Sequence, residues 1–145
     1  MIFFDNRTDF EIGGNILALL ESIACSVTNR DIEFLLVSDD EICALNVEFL
    51  GKDYATDVLS FPLDLSETDS MHLPLGSIVI SLEMAQRVAD SQNHSLQSEL
   101  AILFTHGLLH LLGYDHESDS GEHRVREREI LARFGIETTL ISRNV

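Results

Sequence analysis

The chain has 145 residues, 45% of them hydrophobic and 23% charged, with 8 Gly and 2 Pro. That length and balance suit one globular domain with a real core and exclude collagen-like, low-complexity and disordered classes. Nine Lys and Arg against 25 Asp and Glu leave a net charge of −16, which repels phosphate at long range and speaks against a nucleic-acid coat protein or docking on an anionic membrane.

The first residues, MIFFDNRTDFE, lack the basic region and small-residue cleavage site of a secretory leader. Met1 to Asp5 reads instead as a short strand. A helix capped by Thr8 or Asp9 is predicted to run to about Val27, with Ile12, Ile16, Leu19, Leu20, Ile23 and Ala24 at helical spacing. Ile32 to Val37 has the near-continuous apolar character of a buried strand. Ser38 caps a second helix, with Asp39, Asp40 and Glu41 at its positive end and Ile42, Leu45 and Phe49 facing inward, and the helix stops near Gly51. Thr56 to Pro62 is a strand that Pro62 ends or places at an edge. Asp64 to Pro74 is a polar loop, and Leu75 to Ser81 a further strand able to pair with the previous one as a hairpin. A helix follows from Ser81 to about Gln92. Ser95 caps a long apolar helix to Leu112, stopped by Gly113. A last helix, Ser120 to Phe134, carries the stripe Val125, Ile130 and Leu131. The pattern predicts an α+β fold, a small mixed sheet packed with helices, over one domain spanning 1–145.

Cys25 and Cys43 fall in helical patterns and read as two buried thiols. No apolar run reaches the ~18 residues a membrane span needs. A reducing cytoplasm is the expected location.

Chemistry concentrates in His106-Gly-Leu-Leu-His110-Leu-Leu-Gly113-Tyr-Asp115-His116. Residues four apart share a helix face, so His106 and His110 can aim at one point. Gly113 can take positive φ and reverse the chain, which lets His116 return with a third nitrogen. Three His ligands with an open fourth position describe a catalytic metal site rather than a closed structural one. The spacing H-x-x-x-H-x-x-G-x-x-H matches the metzincin pattern except that Gly107 stands where the peptidase has its general-base Glu. The cage of a metallopeptidase is present and its base is missing. His72, His94 and His123 show no such arrangement and read as surface histidines.

HGLLHLLGYDH resembles the signature of the YbeY family of metal-dependent endoribonucleases. Leu45-Asn46, Gly51-Lys52-Asp53, TDVLSFP from Thr56 to Pro62, and Leu75-Gly76 with Ile78-Val79-Ile80 resemble the family's preceding block, so the likeness covers about residues 32 to 134. The resemblance implies a zincin-like fold and a single-strand-specific endoribonuclease acting in maturation of the small-subunit rRNA 3′ end and in ribosome quality control. It implies one Zn2+ per chain on His106, His110 and His116, although imidazole suits nickel or another divalent metal equally. Expected partners are single-stranded or ribosomal RNA and a small-subunit ribosomal protein, with neither membrane nor DNA. The chain departs from the family at Leu50, where an Arg usually precedes Gly-Lys-Asp, and at Ser77, where Asp usually follows Leu-Gly. An Arg fork clamps phosphate bidentately and Leu does not.

Lys52, the only Lys, is the candidate substitute cation, or a solvated loop residue. Asp115 is a candidate proton acceptor, or the carboxylate that orients a metal-bound His by its free N–H. Glu117 and Asp57 are weaker candidates for the base. Tyr114 is a donor or a packing residue, and Glu99 shares the His face of its helix. Arg124, Arg126, Arg128, Arg133 and Arg143 follow the motif. Alternation with Glu122, Glu127 and Glu129 reads as a salt-bridged helix face in preference to an RNA track. Two rival readings are a ribosome assembly factor with weak or no nuclease activity and a metallopeptidase lacking the HExxH glutamate.

Overall fold

A computed structural model describes residues 1–63, 74–137 and 140. The elements in chain order are β1 (Ile2–Asn6), α1 (Gly14–Val27), β2 (Ile32–Val37), α2 (Asp39–Leu50), β3 (Val58–Pro62), β4 (Gly76–Ser81), α3 (Leu82–Ser91), α4 (Leu96–Leu111) and α5 (Glu122–Arg133). The strands form one mixed sheet in the order β1-β2-β4-β3. β1, β2 and β4 run parallel, and β3 pairs antiparallel with β4 at the edge. The expected α+β class, the hairpin pairing and the edge position of the Pro62 strand are all observed. The polar loop and His72 lie outside the described residues, as does Arg143.

Strand alternation gives the sheet two apolar faces. Phe34, Leu36, Ile78 and Ile80 face the main core with α1 and α4. Val37, Leu59 and Val79 meet Ile42 of α2 in a smaller cluster on the other face. Phe34 stacks on Phe4 at 5.2 Å and meets the edge of Phe104 at 5.6 Å. α4 is the central helix: Glu99 to Leu109 are all buried, between the sheet on one side and α1, α3 and α5 on the others. A helix that is apolar on every face belongs inside a protein.

Caps explain most boundaries. Ser38, Ser81 and Ser95 each accept an amide from the first turn of the helix they precede. α1 starts later than predicted, at Gly14, because Asn6 Oδ1 takes the Thr8 amide and hydroxyl at 3.0 and 2.7 Å and holds 7–13 as a loop. Three further expectations fail. Cys25 is exposed and Cys43 half-buried, both free thiols. Phe49 is exposed, though its ring lies 5.2 Å from Phe61. Val125 is exposed, because α5 turns a different face inward.

Gly76 opens β4 where the hairpin passes under α4. A Cβ there would lie 2.5 Å from the Phe61 carbonyl oxygen and 2.7 Å from Leu111 Cδ2. The first contact is backbone and cannot yield cheaply. Gly76→Ala is expected to cost about 3 kcal/mol, the upper range for overpacking, read as a lower urea midpoint at unchanged slope.

Candidate metal centre

The end of α4 is built by a Schellman turn. Tyr114 N–H donates to Leu109 O and Gly113 N–H to His110 O, both at 3.0 Å, with Gly113 at φ 98°. The reversal returns His116 to the helix end, as the spacing predicts. Asp115 braces the next turn: its carboxylate accepts from the Glu117 amide at 3.1 Å and the Ser118 hydroxyl at 3.0 Å. Asp119 then accepts the amides of Gly121 and His123 at 2.8 and 2.9 Å, fixing the start of α5.

His106, His110 and His116 converge, and His123 joins them. One ligand atom from each of the four lies within 4.8 Å of the others. All six ring pairs have centroids between 4.7 and 5.6 Å apart. His106 Nε2 and His110 Nε2 are 3.2 Å apart. Two imidazoles on a tetrahedral zinc, each with Zn–N near 2.0–2.1 Å, stand about 3.3 Å apart, so this pair already has the needed spacing. His116 Nδ1 is buried without a partner among the described residues, and so are both ring nitrogens of His123. Buried nitrogens that lack partners while pointing into one cluster fit a cation, and the group could hold a metal ion.

His123 is thus fully buried, not a surface residue. Glu127 is also fully buried, not part of a solvated salt-bridged face. Its Oε1 accepts from His106 Nδ1 at 3.0 Å. That bond fixes the His106 tautomer with Nε2 turned to the cluster. The orienting carboxylate for His106 is therefore Glu127. His94 is half-buried, and its Nε2 lies 2.8 Å from Oε1 of buried Glu99 in the first turn of α4.

A cleft of about 360 Å³ opens at the histidines. Lys52, Leu50, Tyr54, Asp57, Asp115 and Glu117 line it. Asn46, buried, donates from Nδ2 to Tyr54 O at 3.0 Å and pins the loop that carries Lys52. Leu50 is exposed on the cleft, so the family's Arg position does face this space. Ser77 does not: it donates to Glu33 at 2.9 Å across the sheet. Tyr114 packs against the core. A Cβ on Gly107 would meet Ile78 Cγ2 at 3.1 Å, so α4 sits close on the sheet at the position where peptidases carry Glu.

Burial pushes His106 down to about 4, helped by His116, and His123 to about 4, helped by His106; His110 is lowered by the same cause. Hydrogen bonds from Ser118 and the Glu117 amide hold Asp115 below the usual carboxylate range. For the histidines the unfolded chain takes up protons first, so their stabilisation is full above pH 6.5 and is lost as pH falls toward 4. Thermal melts of metal-free protein are expected to show Tm falling through that window.

An α+β fold that brings clustered imidazoles to the head of an open cleft is the architecture of a metal-dependent hydrolase. The Endoribonuclease YbeY family matches residues 7–135, and the chain belongs to that family. It is similar to the Endoribonuclease YbeY of Nautilia profundicola, at 50% identity over 144 residues and 99% of both chains. It is 47% identical over 144 residues to that of Helicobacter pylori strain 26695, covering 99% of this chain and 98% of the relative. The solution structure of TM1509 from Thermotoga maritima superposes with a TM-score of 0.59 at 26% identity, covering 93% of this chain and 92% of that one.

Proposed function

We propose that residues 1–145 act as one hydrolase domain, a single-strand-specific endoribonuclease with a divalent metal, zinc foremost, held by His106, His110 and His116. The observation that carries this reading is the convergence of buried and half-buried imidazoles, three of whose nitrogens are unpartnered among the described residues, at the head of a cleft in a chain of this family. Nothing found favours a peptidase or a non-enzymatic assembly factor.

A metal bound there supplies Lewis acidity toward a phosphoryl oxygen and makes water a better nucleophile near neutral pH. Glu127 keeps the His106 ring in one tautomer and orientation. Asp115, exposed at the cleft, is the acceptor for a proton from water there, although its bonds from Ser118 and the Glu117 amide make it a weaker base than a free carboxylate. Lys52 offers the cleft a cation for the phosphate backbone. With a net charge of −16, affinity for free RNA rests on few cations and is salt-sensitive. A small-subunit ribosomal protein supplying positive surface, and rRNA 3′-end maturation in the cytoplasm, follow as the working context.

The test incubates the full chain with single-stranded RNA, duplex RNA and small-subunit particles, before and after chelation and zinc return. Internal cleavage of unpaired RNA that stops on chelation, returns with zinc and is stronger on particles is expected. Chelator-insensitive cleavage, or equal cleavage of any RNA at any salt, counts against it. Leu50→Arg is expected to tighten single-stranded RNA binding and to steepen its log–log salt dependence by ~0.7, one phosphate contact, measured by titration at several salt concentrations.

A further inference from the structure

His123 is not explained by the three-histidine site. Its ring has no solvent exposure, and neither nitrogen has a hydrogen-bond partner among the described residues. Burying an imidazole with both nitrogens unpartnered is costly, and a packing role would be served better by an apolar side chain. The ring stacks on His106 at 4.7 Å and 22°, and its centroid stands 4.8 Å from His110 and 5.3 Å from His116. Asp119 holds its backbone in place through the amides of Gly121 and His123. The nearby carboxyl group, Glu127, is bonded to His106 and fully buried, so it is engaged with another ring of the cluster rather than with His123.

We propose that His123 is a fourth imidazole ligand of the metal centre, closing the corner that the three motif histidines leave open. This rests on the metal-dependent reading above. The four ligand atoms span up to 4.8 Å against a tetrahedral edge of about 3.3 Å, so the widest pair draws together by roughly 1.5 Å when all four bind one ion. A fourth imidazole occupies the position that catalytic zinc sites leave to water, so for hydrolysis water enters as a fifth neighbour or in place of His123. The resting centre is then less open to solvent than the motif alone implies.

Zinc-edge X-ray absorption on the zinc-loaded full chain counts the ligands. Four imidazole nitrogens are expected. Three imidazoles with an oxygen overturn the role of His123 and leave the three-histidine site standing, whereas a chain that takes up no zinc overturns both. His123→Leu supplies a second readout. Against a chromogenic chelator its zinc affinity is expected to drop about tenfold or more, while its metal-free Tm rises by about 2–4 °C as the unpartnered nitrogens go. Unchanged zinc affinity, in His123→Leu or in the polar variant His123→Gln, refutes the assignment.

Discussion

Replacing His110 by alanine is expected to abolish RNA cleavage while leaving the fold intact. His110 sits at the last turn of α4, only half-buried, where Ala is a good helix former. The change removes one of three motif imidazoles and the His106 contact at 3.2 Å. A metal contributes several kcal/mol to the transition state of such a hydrolysis, so the rate should fall by about 10³-fold or more. Zinc affinity should fall with it. Far-UV circular dichroism and the metal-free melt should match the parent. Collapse of the variant, or loss of secondary structure in the chelated parent, would instead mark a structural metal and revive the assembly-factor reading.

Glu127→Ala carries the second large effect, although Glu127 lies 21 residues from its partner His106. Its carboxylate holds the Nδ1 proton and makes Nε2 the better donor to a cation. Removing such a partner typically weakens metal binding by 10–100-fold. Alanine would also leave the buried Nδ1–H unsatisfied, at about 1–3 kcal/mol. Glu127→Gln retains an acceptor oxygen without the charge, and its loss should be intermediate. Zinc competition assays on both variants, beside urea melts of the metal-free forms, separate the electrostatic share from the packing share. Equal affinity in all three proteins would remove Glu127 from the site.

What the sequence made legible was local. The motif from His106 to His116 is read from one helix face and one glycine, and both are observed. The caps read at Ser38 and Ser95 likewise lie within three residues of the amides they accept. His123 and Glu127 escaped because the face of α5 was assigned from apolar residues alone, which put Val125 inward. The face that packs is His123, Glu127, Ile130 and Leu131, spaced four, three and one, a regular helical stripe whose first two members are polar. Including titratable residues in the count would have found it. The start of α1 was misjudged for a different reason: Asn6 competes for Thr8, and that side-chain bond is not visible in a periodicity. Leu50 was identified from the family pattern, but only the structure places it on the cleft and sends Ser77 to the far surface of the sheet.

α4 is both the middle of the core and the bearer of two imidazoles, and this joins two equilibria. Any ion that prefers the native cluster stabilises the native chain by RT ln(1 + [L]/Kd), about 2.7 kcal/mol at a hundredfold excess over Kd. The coupling is reciprocal: substitutions deep beneath α4, at Phe34 or Ile78, that leave the native state less populated lower the apparent affinity for the ion. Metal scarcity would then be felt as shortened protein lifetime as well as a slower turnover.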